Sequence, residues 1–271
     1  MTNQSATYLK RKSDVGSGIA VLVVLIILAA AVSAQGRTPQ RDAAAISTLQ
    51  SAVTALGGAN AIAAIQDCIL TGSFSYSDGT TRNFKWTIAG GEFRRELVTA
   101  NGGTTIFVSG HGSPAWIRNG NTSAINYHVA RANIPVYLPP YVLFQGLSNP
   151  IFTLKYVGVA GLNGKNALQV HISDDSDRAG TLVTPQEWYF DPVSFLPVEV
   201  QFRQPSNENA ADFVNGTFIF SQFAPFSGVL VPSTISYSQD GIANETIAIS
   251  TVTFNSDVPP QVFDPPQGGG Q

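Results

Sequence analysis

Three histidines, His111, His128 and His171, are the residues of this 271-residue chain best suited to proton transfer or metal binding at neutral pH. They fall in different predicted elements, with no i, i+4 pair on a helix and no HExxH, so no metal site is predicted from them. Gly110-His111-Gly112-Ser113 sets a hydroxyl near an imidazole but does not reproduce the G-x-S-x-G nucleophile elbow. Asp174, Asp175 and Asp177 crowd one predicted loop, where carboxylates at such spacing could hold calcium. The run lacks the glycine and distal glutamate of an EF-hand loop, and Arg178 follows at once, so it is read as solvated turn charge. Glu187, Glu199 and Asp191 offer carboxylates for glycoside hydrolysis, but only the fold could bring a pair to the required separation. Asp191-Pro192 itself reads as a turn. No catalytic residue, metal ligand or cofactor is therefore assigned.

Aromatic side chains remain. Phe74, Tyr76, Phe84, Trp86, Phe93, Phe152, Tyr156, Trp188, Phe190, Phe202, Phe218 and Phe220 nearly all fall inside predicted strands. In a closed sandwich they would be core; in a curled, incompletely filled sheet they would line a cavity for an acyl chain. The residues alone favour the sandwich core.

The elements that would position them are mostly strands. A helical hairpin is predicted between Asp42 and Ile65, from Ile46, Leu49, Val53 and Leu56 at 3.6-residue spacing, a Gly57-Gly58 stop and a short continuation after it. Then alternation of period two takes over: Phe74 and Tyr76, a turn at Ser77-Asp78-Gly79, and Phe84, Trp86 and Ile88. The same period runs through Phe93/Arg95/Leu97, Ile106 to Val108, Ala115 to Arg118, Phe152/Leu154/Tyr156 and Leu168/Val170/Ile172. It is cleanest where Leu196, Val198, Val200 and Phe202 alternate with Pro197, Glu199, Gln201 and Arg203. Phe213 to Phe223, Val229 to Gln239 and Ile242 to Phe254 complete the series, with Asn119-Gly120, Asn163-Gly164 and Asp240-Gly241 as turns. About ten consecutive strands imply one antiparallel meander that must curl. One segment breaks the pattern: Ile134 to Phe144 is apolar but too rich in proline for a central strand. It reads as a loop plus short helix covering the open side of the sheet, or equally as a core plug; Val136, Tyr137, Leu138, Tyr141, Leu143 and Phe144 are its covering residues.

The N-terminus has the order expected of a chain directed out of the cytoplasm. Lys10, Arg11 and Lys12 precede an apolar run from Ile19 to Val32 and the small residues Ser33 and Ala34, the order of a signal peptide over residues 1–34. An uncleaved inner-membrane anchor is the alternative, though the run is shorter than the ~20 residues a spanning helix uses. Removing Lys10, Arg11, Lys12 and Asp14 takes the inventory from 15 basic and 18 acidic residues to 12 and 17, a net charge of about −5. Such a balance argues against nucleic acid as a partner. The single cysteine, Cys68, lies well past the proposed cut, permits no internal disulfide and reads as a small buried hydrophobe. Residues 35–266 fit one large β domain, with a disordered Gly-rich tail over 267–271.

Several segments in order resemble the LolA/LolB-type lipoprotein-carrier superfamily, across most of the mature chain. Ala55-Leu56-Gly57-Gly58 leads into Thr71-Gly72-Ser73-Phe74; Phe84-Lys85-Trp86 precedes Gly91-Glu92-Phe93-Arg94-Arg95-Glu96. Thr105-Ile106-Phe107-Val108 to Ala115-Trp116-Ile117 is similar to the family's next hairpin. Trp188-Tyr189-Phe190-Asp191, Leu196-Pro197 and Val198-Glu199-Val200 are similar to a late one. Phe220-Ser221-Gln222-Phe223 and Gly228-Val229-Leu230-Val231-Pro232 follow, and Phe263-Asp264-Pro265-Pro266 resembles the closing F-x-P-P. The resemblance implies an unclosed half-barrel, mainly β with some α, whose concave face is covered by helices. It further implies a non-catalytic periplasmic carrier of lipid or lipoprotein acyl chains, with membrane docking proteins as possible partners. The twelve aromatics would then line a cavity, under a cover made of Ala43 to Leu56 and Val136 to Phe144. Where the best-known carriers have an arginine that latches the lid, this chain reads Ala89-Gly90-Gly91, with Arg94 and Arg95 nearby. An envelope sensor or structural module that binds protein, and a secreted hydrolase built on His171 or His128, are the alternatives.

Overall fold

The computed structural model describes residues 38–98, 101–109, 115–118, 121–125, 136–205 and 212–265. The expected signal peptide, the tail from Gln267, His111, His128, Gly110-His111-Gly112-Ser113 and the Asn119-Gly120 turn lie outside these residues. No helix among the described residues is long and apolar enough to cross a membrane.

Helices α1 (Ala43–Ala55) and α2 (Ala59–Ala63) open the described chain. Between them Gly57 and Gly58 take φ of 127° and 90°, a backbone state that costs glycine little because it lacks Cβ. Gly57 is also confined from outside: a Cβ there would stand 2.5 Å from the carbonyl oxygen of Gly228. That approach is fixed by the Leu230 amide, which donates to the Leu56 carbonyl at 2.9 Å.

The strands are β1 (Asp67–Tyr76), β2 (Thr81–Ala89), β3 (Glu92–Val98), β4 (Thr104–Ser109), β5 (Ala115–Arg118) and β6 (Asn121–Ala124). After α3 (Pro139–Ser148) come β7 (Phe152–Leu162), β8 (Lys165–Asp174) and α4 (Arg178–Val183). β9 (Gln186–Phe190), β10 (Pro197–Pro205), β11 (Phe213–Phe226), β12 (Val229–Gln239) and β13 (Ile242–Phe254) finish the series. All lie in one antiparallel sheet ordered β6-β5-β4-β3-β2-β1-β13-β12-β11-β10-β9-β8-β7. Among the described residues β6 and β7 are its edges and do not pair with each other, so the curled sheet is not closed.

Among the described residues thirteen strands in two meanders replace the roughly ten in one that alternation predicts. β6 escapes the pattern because Asn-Thr-Ser-Ala is polar and exposed throughout. β9 escapes it because Trp188, Tyr189 and Phe190 are consecutive and all buried, which hides a period of two. α4 also forms where a loop was expected; the Asp177 side chain caps it by accepting from the Gly180 amide at 2.7 Å, which satisfies one of the orphan donors of the first turn.

Topology dictates what covers the sheet. β1 to β6 run outward from the centre to one edge, and β7 to β13 run back from the other until β13 meets β1. The chain between β6 and β7 must therefore pass from edge to edge, and α3 sits on that crossover, against α1, α2, β7 and β12. Pro139 and Pro140 open α3, where the missing amide hydrogens would have had no helical acceptor. Val136, Tyr137, Leu138, Val142 and Leu143 of the crossover are buried in the same core as Leu49 and Val53 of α1, Leu70 and Trp86, and Trp188 and Ile235. A second, smaller core lies under the C-terminal 3₁₀ turn Pro260–Phe263, where Phe263 packs on Val108, Ala115 and Ile117.

Candidate ligand-binding site

Alternation puts Phe74 and Tyr76 of β1, Trp86 of β2, and Arg95 and Leu97 of β3 on one face of the sheet. The register Tyr76↔Glu245 and Phe74↔Ile247 carries that face into β13, and Tyr237↔Glu245 and Phe218↔Tyr237 carry it through β12 into β11. At the end of the concave face beyond the helices these residues enclose a half-open cavity of about 310 Å³, the lower end of the size range of small-molecule sites.

Two aromatic groups wall it. On one side stand Phe74 and Trp86, with Phe84 behind them in ring contact with both, its centroid 4.2 Å from that of Trp86 and 5.0 Å from that of Phe74. On the other, Phe202, Phe218 and Tyr237 stand 5.1 Å (Phe202–Phe218) and 5.2 Å (Phe218–Tyr237) apart. Gly216 makes room for the second group. An added Cβ there would come within 2.5 Å of the Phe202 ring, so the ring lies flat on backbone.

Of the twelve aromatics singled out by alternation, Phe74, Tyr76, Trp86, Phe202 and Phe218 line this cavity. Phe84 backs Trp86, and Phe93 packs on Phe107 at 5.5 Å. Trp188, Phe190 and Phe220 are buried together, the Trp188 and Phe220 rings 5.8 Å apart and 8° from parallel. Phe152 and Tyr156 pack half-buried against that core. Among the covering residues, Val136, Tyr137, Leu138 and Leu143 are buried and Tyr141 and Phe144 pack partly buried beside them.

The cavity also holds charge. Arg95 and Glu245 both line it, with Gln204, Gln239, Asn244 and Thr105. The Arg95 guanidinium lies over the rings of Phe93 (5.5 Å) and Phe107 (5.1 Å), and burial pulls it below the usual arginine range. Burial pushes the Glu245 carboxyl up to about 7, against the opposing pull of Arg95. Tyr237 is pushed up to about 12, by burial first and by the Glu245 carboxylate second. Neither charged residue was singled out from sequence as a cavity residue, yet a signal was there. Arg95 stands between Phe93 and Leu97 on a face that is otherwise apolar, and Glu245 stands two residues before the buried Ile247.

After β2, where the family resemblance places an arginine latch, the chain has Ala89, Gly90 and Gly91. Arg41 reaches the C-terminal end of α3. Its Nη1 donates to the carbonyls of Gly146 (3.2 Å), Asn149 (3.0 Å) and Phe152 (3.1 Å), and its Nη2 to Leu147 at 2.6 Å. A cation at a helix C-terminus complements both the orphan carbonyls and the macrodipole. Of the two arginines near the vacated place, Arg94 pairs with Glu96 at 2.8 Å and donates to the Val262 carbonyl, while Arg95 lines the cavity.

The one described histidine lies two strands from β10 and on the other face of the sheet from Phe202. His171 of β8 contacts the Glu187 carboxylate at 2.6 Å through Nδ1 and the Ser173 hydroxyl at 3.1 Å through Nε2, on the face opposite Val170, Ile172 and Trp188. A carboxylate, an imidazole and a hydroxyl are thus in line. The hydroxyl, however, donates to Asp175 at 2.9 Å and is buried with its residue, so its proton is not directed at the imidazole as a nucleophile's would be. Burial raises the Glu187 carboxyl, and hydrogen bonds from His171 and Gln169 outweigh it, leaving the group below its ordinary value. The aspartates of the adjoining loop are occupied: Asp174 accepts from the Ser176 amide, and Asp175 accepts from Thr153 and Ser173. Asp191 accepts from the Val193 and Ser194 amides, and these bonds lower its carboxyl.

No protein-family model and no curated protein matches the chain. Solved structures do. An outer membrane lipoprotein-sorting protein domain from Vibrio parahaemolyticus superposes over 81% of this chain and 95% of its own, with a TM-score of 0.52 at 12% identity. A LolA superfamily protein from Nitrosomonas europaea superposes over 81% and 96%, with a TM-score of 0.52 at 10% identity. A DUF1329 family protein from Desulfovibrio piger gives 80%, 96% and 0.52 at 13%. The unclosed sheet with helices on its concave face is the fold of these LolA-type structures.

Proposed function

We propose that the protein is an extracytoplasmic, non-catalytic carrier of a hydrophobic ligand with an acyl chain. The observation that carries this reading is the half-enclosed cavity between two aromatic walls, at the end of the trough beyond the helices. Apolar surface left accessible in a concavity gains by receiving an apolar chain. At about 0.8 kcal/mol per buried methylene, ten methylenes contribute roughly 8 kcal/mol before the costs of association are subtracted. The LolA-type fold and the signal-peptide order of residues 1–34 support an envelope location, with the ligand a lipid or the acyl chains of a lipoprotein. The aromatic lining and the crossover of Val136 to Phe144 act as cavity and cover.

Native mass spectrometry of the protein purified without detergent from its own envelope tests the reading. A mass adduct of lipid or acylated peptide, removed by organic extraction, is the expected result. An unliganded mass, together with no uptake of added acyl compounds, contradicts it. His171→Ala should leave ligand uptake unchanged, which separates the carrier from a hydrolase built on that histidine.

A further inference from the structure

A cavity meant only for hydrocarbon has no use for a cation. This one has Arg95 inside it, and Arg82 at its margin, where the Arg82 guanidinium lies 5.1 Å from the centroid of the Tyr76 ring that lines the wall. Of the two, only Arg95 belongs to the lining, whose one carboxylate among the described residues is Glu245. Asp78 and Asp240, in exposed turns nearby, each accept hydrogen bonds through one oxygen, from Thr80 and from Asn215 respectively, and act electrostatically on Arg82 and on Tyr237. Tyr137 adds a donor. It comes from the crossover, its ring centroid 3.7 Å from that of Trp86, and its buried phenolic oxygen has no hydrogen-bond partner while interacting electrostatically with Arg95. Buried polar atoms are seldom left unsatisfied without a reason.

Resting on the carrier reading, we propose that the cavity recognises the acidic headgroup of a single-chain amphiphile, a carboxylate or phosphate held by Arg95, with the chain laid against Phe74, Trp86, Phe202 and Phe218. A guanidinium in a poorly hydrated site is suited to such an anion because its hydrogen bonds are charge-assisted and little screened. Glu245 does not forbid the anion: its raised carboxyl is protonated in a good share of molecules near neutrality and then donates a hydrogen bond. The volume of about 310 Å³ suits one chain better than several.

The test compares dodecanoate, dodecyl phosphate and dodecanol, titrated into the purified chain by calorimetry, for wild type, Arg95→Met and Arg95→Lys. Wild type is expected to bind at least one of the two anions about tenfold more tightly than the alcohol. Arg95→Met should erase that gap, and Arg95→Lys should keep part of it. Dodecanol binding by the variants reports that they are folded. Equal affinity of wild type for anions and alcohol, or a gap that survives Arg95→Met, overturns the headgroup assignment and leaves the carrier reading standing. Binding of none of the three compounds to wild type overturns the carrier reading itself.

Discussion

The two ends of the concave face are built from the same strands and serve opposite ends. Under the helices, Leu49, Leu70, Leu143, Trp188 and Ile235 are almost fully buried and pack into one another. Beyond them Phe202, Tyr76 and Leu97 are only half-buried, and Arg95 and Glu245 share their space. What separates core from site here is the reach of one crossover: where α1 and α3 lie on the sheet the aromatics are filling, and where they stop the aromatics are walls.

Truncation at the covered end should break the fold most severely. Leu143→Ala, at a fully buried position of α3, is expected to cost about 2–5 kcal/mol, read as a fall in the urea midpoint at unchanged slope. A cost under 1 kcal/mol would mean that this end is loosely packed. Next in size is the pH response of the open end. Glu245 has its carboxyl raised from 4.5 to about 7, so the folded state holds a proton that the unfolded chain releases. Stability should therefore be highest below pH 4.5 as far as this group is concerned, and fall by something like 2–3 kcal/mol as pH rises to about 7. Glu245→Gln should remove that slope and be the more stable protein at pH 8; a parallel pH profile in the variant would contradict the placement of this side chain.

Arg41→Met tests the join between the two ends. It strips the carbonyls at the end of α3 of their charged donor and should cost about 1–3 kcal/mol, with faster amide exchange confined to α3. Uniform exchange across the sheet would instead assign Arg41 to global stability. Phe202→Ala should have the smallest effect on stability, about 1 kcal/mol, since the ring is half-exposed and rests on Gly216. It should nevertheless weaken acyl binding several-fold by calorimetry. The reverse pattern, a large loss of stability with binding intact, would move Phe202 from wall to core.

Strand alternation made most of the sheet legible in the sequence, because side-chain direction along a strand is a local property. Phe84/Trp86/Ile88 and the series from Leu196 to Phe202 announce their faces without knowing their neighbours. What alternation does not carry is which strands meet. Arg95 and Glu245 are 150 positions apart in the chain and share a cavity only because β13 returns to pair with β1. Arg41 was illegible for the same reason: its acceptors are set by where α3 ends, more than 100 residues on. The aromatic count identified a greasy interior, but the division of those twelve rings into five at the cavity and seven elsewhere follows from the extent of the helical cover, which no periodicity records.

The central claim is that an acyl chain lies between the two aromatic walls. A diazirine-bearing fatty acid, photolysed on the purified chain and mapped by peptide mass spectrometry, tests it most directly. Labels on the β1–β2 peptide carrying Phe74 and Trp86 and on the β10–β11 peptide carrying Phe202 and Phe218 are the predicted result. Labels confined to the outer face around His171 and Glu187, or spread evenly over the surface, would contradict it.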